Sequence, residues 1–505
     1  MKNQTVIGVV GAGAMGRGIV QLALAAGLDV VLADANPETS EEARAFVLSM
    51  LQRQVDKGRL AEKILNAAES KLQLVSLDDL QAFASCDLVI EAIVEKLEVK
   101  QQLFTKLEKV LSPQAILATN TSSLSVTEIA SACKHPERVA GMHFFNPVPL
   151  MKVVEVIHGQ LTTPAVVKKL QELAAVLGHQ PVLVADMPGF LINHAGRGYS
   201  TEALRILSEG IAGVEDIDRS LRDQCGFRMG PFELFDLTGL DVSHPVIESI
   251  YHQFYQDPRY RPSPITAQRL KAGLLGKKTG QGFYAYVDGQ QQCHEEADPP
   301  AAQAVPVWVS PNIPEGRRRL LDILKSGSAR LEAGQPSAEA LCLITPLGED
   351  ATTAALQQGL DPERTVAVDT LFALDKRRVL MPTPVTRRAY LNQALGLLAE
   401  DGTKVTCIQD SPGFIAQRML ACIINIACEI AQLQIACPAD IDIAVKRGLG
   451  YPLGPLEWAD QLNPALVLQL LENLQKTYGD PRYRPSTWLQ RRARLGISVT
   501  TEPTY

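Results

Sequence analysis

The chain opens on short apolar runs separated by segments of helix length. TVIGVV (5–10) is a buried-strand pattern, GAGAMG (11–16) interrupts it, a helix pattern follows, and DVVLAD (29–34) is a second strand. KLQLV, DLVIEAI, AILATN, RVAGMHF and KVVEVI then continue the series at intervals long enough for helices between them. Strands alternating with helices predict a mostly parallel, doubly wound sheet over roughly the first 185 residues. Beyond that the period changes. Long runs such as LRDQCGFRMGPFELFDL and QRMLACIINIACEIAQLQ keep apolar residues at helical spacing with little β-branched alternation, and predict helices.

The pattern also repeats. DPRYRPS occurs at Asp257–Ser263 and again at Asp480–Ser486. DMPGF at Asp186 meets DSPGF at Asp410, an offset of 224. At the same offset Asp216-Ile217-Asp218 meets Asp440-Ile441-Asp442, Gly230-Pro231 meets Gly454-Pro455, and Glu233 and Asp236 meet Glu457 and Asp460. The heptapeptide sits at 223, as one deletion would give. About 80 residues are therefore duplicated. A weaker echo runs upstream, where PERVAGMHFFN from Pro136 resembles PERTVAVDTLF from Pro362. The second half reads as a worn copy of the first, joined to it by a polar, Gln/Ala/Pro-rich, linker-like stretch, Asp288–Pro306.

Chemistry gathers where the strands end. GAGAMG fits G-x-G-x-x-G at Gly11, Gly13 and Gly16, and Asp34 closes the next strand 23 residues after Gly11. In this order the elements predict a dinucleotide cradle, with the acidic residue on the adenine ribose and the pyrophosphate at the helix N-terminus. A carboxylate at 34, with no Arg directly after it, favours NAD over NADP. Ligands of such sheets bind at the carboxyl ends of the strands. Those ends carry Glu91, Glu95, Asn120, Thr121, Ser122 and His143, with Glu155 inside a later strand. His143 is a candidate proton acceptor near neutral pH. Glu155 alone reads as one half of a salt bridge to a lysine; beside His143 it reads as that base's orienter. Ser122 and Asn120 read equally as caps of a helix starting near Ser125. Asn193 follows PGFLI, and GKKTGQGFY (Gly276–Tyr284) holds two lysines suited to a phosphorylated ligand.

Composition narrows the classes. With 46% hydrophobic and 21% charged residues, the 505-residue chain can build sizeable cores, on the order of three domains. A net charge of −7 argues against a nucleic acid or an anionic membrane as partner. Nine scattered cysteines without a C-x-x-C pair suggest reduced thiols rather than disulfides, and no metal site is read. MKNQTVIGVVGAG runs directly into a strand, and no apolar stretch of spanning length follows, so the expectation is a cytoplasmic protein without secretory leader or membrane span.

GAGAMG, EAIVEKLEVK, TNTSSL, HFFNPVPLMKVVEV, DMPGFLINH, GFRMGPFELFDLTGLD and GKKTGQGFY together resemble the L-3-hydroxyacyl-CoA dehydrogenase family over residues 5–286. The resemblance implies a Rossmann-type NAD-binding domain (1–186), a helical domain (187–290), a linker with a degenerate partial Rossmann-like segment (291–409) and a second, non-catalytic helical domain (410–495). It implies His143, Glu155, Ser122 and Asn193 as catalytic residues. Cofactor contacts fall on Gly11, Gly13, Ala14, Met15, Gly16, Asp34, Glu95, Lys100, Ser122, Asn146 and Lys278, and CoA contacts on Lys57 and Ser122. The implied reaction is NAD-dependent oxidation of an (S)-3-hydroxyacyl-CoA. Layout favours 3-hydroxyadipyl-CoA of phenylacetate breakdown, with 3-hydroxybutyryl-CoA as the alternative. For a dicarboxylic chain, Arg197, Arg222 and Arg228 are candidate cations. At the repeat offsets His143 becomes Asp369 and Asn193 becomes Gln417, so one active site per chain is expected. The second helical copy is expected to pack on the first as a partner subunit would, and a homo-oligomer stays open. The rival readings are a dehydrogenase of the same architecture acting without CoA, and a non-catalytic NAD-binding protein on this scaffold.

Overall fold

The apolar runs of the first half form one sheet of eight strands. These are β1 (Val6–Val10), β2 (Asp29–Asp34), β3 (Leu72–Ser76), β4 (Leu88–Glu91), β5 (Ile116–Thr119), β6 (Val139–Phe144), β7 (Val153–His158) and β8 (Gln180–Ala185). The computed structural model describes residues 5–504; the first four residues of the stretch read for a leader, and Tyr505, lie outside it. The strand order is β3-β2-β1-β4-β5-β6-β7-β8. Six strands run parallel, β7 is antiparallel to β6, and β8 is parallel to β7. Alternate residues feed two cores. Ile7, Val9, Val30, Leu32 and Ile90 face one layer, which includes helix α1 (Ala14–Ala25), and Val10, Val31, Val89 and Leu117 face the other. Burial on both faces explains the continuous apolar character of these strands. β8 departs from the expected series. Its QPVLVA pattern is half-buried, and the strand adds to an edge that the sequence did not mark.

Two compact units divide the chain: residues up to His194 with Leu433–Leu449, and Ala195–Gln432 with the residues from Gly450 on. In the second unit, helices Arg197–Ser208, Val214–Cys225, Pro231–Thr238, Leu240–Gln253 and Pro264–Lys271 precede a hairpin of β9 (Ala285–Val287) and β10 (Gln290–Gln292). A six-stranded sheet follows, of β11 (Pro306–Val309), β12 (Arg330–Glu332), β13 (Leu341–Ile344), β14 (Thr365–Val368), β15 (Arg377–Pro382) and β16 (Lys404–Cys407). Its last four strands keep the order and the single direction reversal of β5 to β8. The linker-like stretch is pinned rather than loose. Glu296 accepts two hydrogen bonds from buried Arg377, at 2.8 and 2.9 Å, and Glu215 receives the His294 backbone N–H.

The duplication holds at atomic detail. Gly189 and Phe190 have φ of 73° and 48°, and Gly413 and Phe414 have 78° and 49°. Asp186 caps the helix Val126–Ala130 through Val126 and Thr127 N–H, as Asp410 caps Ala351–Gln357 through Ala351 and Thr352 N–H. Glu233 receives the Gly230 N–H at 2.8 Å, and Glu457 the Gly454 N–H at 2.9 Å.

The two helical copies meet along helices Arg197–Ser208 and Ala416–Gln432, both in the second unit. Gly198 permits the approach: a Cβ there would stand 3.0 Å from the Ile423 Cα. The repeated heptapeptides abut each other at this seam. From the first, Arg259 pairs with Glu429 at 2.8 Å. From the second, Arg482 pairs with Glu202 at 3.1 Å and Tyr483 donates to it at 2.7 Å. Arg418 completes the network, with its Nε 2.7 Å from Glu202 Oε1 and an Nη1 2.8 Å from Glu209. Glu202 and Arg418 are buried. Among the described residues no helix is long and apolar enough to cross a membrane.

Burial alone would raise the Glu202 carboxyl; Arg418 and Arg482 overcome this and lower it to about 2 from an ordinary 4.5. A carboxyl depressed by folding stabilises the fold fully above pH 4.5 and loses that contribution as pH falls towards 2. Glu202→Gln is therefore expected to flatten the loss of stability between those limits in acid-unfolding curves. Arg418→Ala leaves buried Glu202, and Glu209 at the edge of the network, short of their shared cation. It is expected to cost about 3–5 kcal/mol, read as a lowered denaturant midpoint at neutral pH.

Candidate active site

The turn after β1 is shaped by what its glycines omit. Gly11 has φ of 105°, and a Cβ there would stand 2.4 Å from the Ala92 carbonyl oxygen. A Cβ on Gly16 would stand 1.7 Å from the Gly11 carbonyl oxygen. A Cβ on Gly13 would meet nothing within 4 Å, so the space before the N-terminus of α1 is open. Gly13 caps that helix without a side chain, which leaves the first-turn N–H groups of Ala14 and Met15 for an anion. At the end of β2, Asp34 accepts from Ala12 N–H at 2.7 Å and Asn36 N–H at 2.9 Å. Each carboxylate oxygen retains a lone pair for a ribose hydroxyl. These residues fit a dinucleotide, with the pyrophosphate over Gly13 and the adenine ribose at Asp34.

Beside the cradle, a polar cluster joins the ends of β4 and β5. Buried Lys100 donates to buried Glu91 at 2.5 Å and pairs with Glu95 at 3.1 Å. Glu91 also accepts from Thr119 Oγ1 at 2.8 Å and Ile93 N–H at 2.9 Å. Glu95 Oε1 gathers the loop after β5, taking Thr121 Oγ1 at 2.6 Å, Ser122 N–H at 2.9 Å and Ser123 N–H at 3.1 Å. Partial burial would raise Glu95; the Lys100 charge, with Thr121 and Ser122 donating, reverses this and holds its carboxyl below the usual range. Glu95, Lys100 and Ser122 are thus one connected group. Asn120 and Ser122 are not caps: Ser125 and Asp186 cap the following helix, and Asn120 Oδ1 accepts the Phe144 N–H at 2.8 Å.

His143 and Glu155 face each other across the antiparallel β6–β7 pair. Neighbouring antiparallel strands place opposite side chains in contact, so the register itself brings His143 Nδ1 to 2.6 Å from Glu155 Oε2. Glu155 is fully buried, and its second oxygen accepts from Leu191 N–H at 2.9 Å and Ile192 N–H at 2.8 Å. Among the described residues no lysine pairs with it. The imidazole lies between rings, with Phe145 at 4.4 Å and Phe190 at 5.8 Å between centroids. The donors at 191 and 192 are backbone groups of the DMPGFLIN turn, so no residue type announced them. Asn193 follows directly and is half-buried, and Asn146, just past β6, is exposed.

Lys57 is exposed just past the end of helix Pro37–Asp56. Lys278 belongs to the second unit, where it is ion-paired with Asp241. Arg197, Arg222 and Arg228 are in that unit too; Arg222 is ion-paired with Glu233 and Arg228 is exposed.

Known proteins agree with this arrangement. The family model for the 3-hydroxyacyl-CoA dehydrogenase NAD binding domain matches residues 6–187. The model for the C-terminal domain of the same enzymes matches twice, at 189–286 and 413–501. The 3-hydroxyadipyl-CoA dehydrogenase of Escherichia coli (strain K12) is 38% identical over 495 residues, 98% of each chain. The 3-hydroxybutyryl-CoA dehydrogenase of Bradyrhizobium diazoefficiens is 42% identical over 280 residues, 55% of this chain and 94% of its own. Among solved structures, 3-hydroxybutyryl-CoA dehydrogenase from Escherichia coli K12 superimposes with a TM-score of 0.85 at 38% identity, covering 98% of this chain and 99% of its own. With a matching fold, an NAD cradle and both family domains in place, the chain belongs to the 3-hydroxyacyl-CoA dehydrogenase family and is an NAD-dependent oxidoreductase.

Proposed function

We propose that the His143–Glu155 pair drives oxidation of a 3-hydroxyacyl-CoA to the 3-oxoacyl-CoA, with His143 as the general base. The observation that carries this reading is the fully buried carboxylate, 2.6 Å from the imidazole and held by two backbone N–H groups. A carboxylate that takes the Nδ1 hydrogen bond leaves Nε2 as the basic atom. Nε2 then receives the 3-hydroxyl proton, and Glu155 stabilises the imidazolium that forms. Because Glu155 is anchored through its second oxygen, the ring keeps one orientation throughout. Ser122 and Asn193 hold the substrate's 3-oxygen and steady the charge that builds on it. Bound NAD supplies the hydride acceptor for C3.

Gly11, Gly13, Ala14, Met15, Gly16 and Asp34 hold the dinucleotide, and Glu95, Lys100, Asn146 and Lys278 complete its contacts. Lys57, an exposed cation just past helix Pro37–Asp56, serves the CoA phosphates. The domain boundaries read from the sequence, 1–186, 187–290, 291–409 and 410–495, are part of this proposal, with one active site per chain. The second helical copy takes the place of a partner subunit at the Glu202–Arg418 seam. The enzyme works in the cytoplasm.

The substrate we assign is 3-hydroxyadipyl-CoA, supported by the relative of that name that matches across 98% of both chains. A second reading, 3-hydroxybutyryl-CoA, draws on the name of the matching solved structure and on the shorter relative. Initial rates of NADH formation with both (S)-substrates decide between them through the ratio of kcat/KM. His143→Ala is expected to lower kcat by about 10²–10⁴-fold with either substrate. Glu155→Gln is expected to lower kcat by roughly 10²-fold while KM for NAD stays within about twofold, since the cradle does not touch it. Undiminished turnover in His143→Ala would remove the base assignment.

A further inference from the structure

Residues 433–449 belong by sequence to the second helical copy, yet they pack within the first compact unit. They lie along β8. Ala185 N–H donates to the Ile435 carbonyl at 2.8 Å, and Leu183 N–H to Asp440 Oδ2 at 2.9 Å. The repeat makes the same exchange in the other direction. In the second unit Gln409 N–H donates to the Ile211 carbonyl at 2.9 Å, and both residues stand 224 from their counterparts. Each copy has traded this arm with the other.

The arm from the second copy ends beneath the catalytic turn. After helix Pro438–Ala444 the chain widens into one π-type turn, Val445–Leu449. A Cβ on Gly448 would stand 2.5 Å from Ile192 Cδ1 and 3.3 Å from its Cγ1 and Cγ2. Ile192 is 1% exposed, so it has no free space to swing into. Its backbone N–H is one of the two that hold Glu155. The same turn carries Phe190 in the left-handed region, φ 48°, against His143. The repeat offers a comparison. The counterpart of Gly448 is Gln224, a residue with a side chain, and it comes alongside Asp369, the counterpart of His143. In both halves, therefore, this position of one copy reaches the site of the other.

We propose that Gly448 is a positioning residue for the His143–Glu155 pair. Its bare Cα seats Ile192 so that the Leu191 and Ile192 N–H groups point at Glu155. The second helical copy thus takes part in catalysis as well as in stability. This rests on the reading of His143 as the base.

Gly448 has no positive φ, so alanine meets no backbone barrier there and suits a helical setting better than glycine does. Any loss in Gly448→Ala must come through Ile192. In the full-length chain, kcat is expected to fall about tenfold, since displacements well under 1 Å are costly to catalysis. KM for acyl-CoA and NAD should stay within about twofold, and the variant should be fully folded at the assay temperature by circular dichroism. Gly448→Ala with Ile192→Val, which removes the clashing Cδ1 methyl, is expected to recover most of the kcat. An unchanged kcat in Gly448→Ala, or a loss that Ile192→Val does not relieve, would overturn the proposal. His143→Ala is assayed in parallel, so that failure of the base assignment shows separately, as turnover persisting in that variant.

Discussion

A carboxylate with no access to water must find partners for both oxygens or it destabilises the strand that carries it. Glu155 meets that demand with an imidazole on one side and two backbone N–H groups on the other. Much of the first unit is arranged around those three donors. β6 and β7 must be antiparallel, because that pairing sets His143 opposite Glu155. The 189–193 turn must leave the ordinary backbone regions at Gly189 and Phe190 to aim its N–H groups inward. Asp186, four residues before Phe190, ties the start of that turn to the helix after β5 through Ser125, Val126 and Thr127. That helix follows the Thr121–Ser123 loop gathered by Glu95. One buried charge therefore couples His143, the 189–193 turn and the edge of the glycine-rich cradle.

A second buried charge network plays the corresponding part in the second unit. Arg418 and Glu202 are both sealed from solvent, and Arg482, Tyr483 and Glu209 satisfy what remains. Networks of this kind add little over an apolar seam of the same volume, yet tolerate the loss of a member badly. Their value here is specification. The seam forms only with the two heptapeptides in register, since Arg259 reaches one helix of the pair and Arg482 the other.

Much of this was legible in the residues. The strand series, the glycine fingerprint with Asp34, and the repeat offset all follow from local pattern, and each corresponds to a definite element. His143 and Glu155 stood out because a histidine and a carboxylate are rare inside apolar strands. What was not legible depends on tertiary partners. The reversal between β6 and β7 leaves no mark, because the two strands are equally apolar whichever way they run. β8 was passed over because its burial is partial. Asn120 looked like a helix cap, and its bond to Phe144 N–H exists only once β6 lies beside β5. Two of the three donors to Glu155 are main-chain atoms. The polar stretch after Asp288 read as a linker because Glu296 gains its meaning from Arg377, 81 residues away.

The second copy shows what happens when the central demand is relaxed. Across its equivalent hairpin, Asp369 N–H bonds to the Val379 carbonyl, so a valine stands where the orienting carboxylate would be. Asp369 itself is fully buried, and burial pushes its carboxyl up to about 6 despite hydrogen bonds from Gln417 at 2.9 Å and Leu371 N–H at 3.2 Å. Gln417, the counterpart of Asn193, is a partner for that acid, and its Oε1 accepts the Gly348 N–H. The turn at Gly413–Phe414 has nevertheless kept its left-handed geometry. Backbone shape is thus shared by the two copies where the side chains at the matching positions differ. The exchanged arm gives the second copy a structural part in the first unit: removing it would strip β8 of Ile435 and Asp440, and Ile192 of its neighbour Gly448.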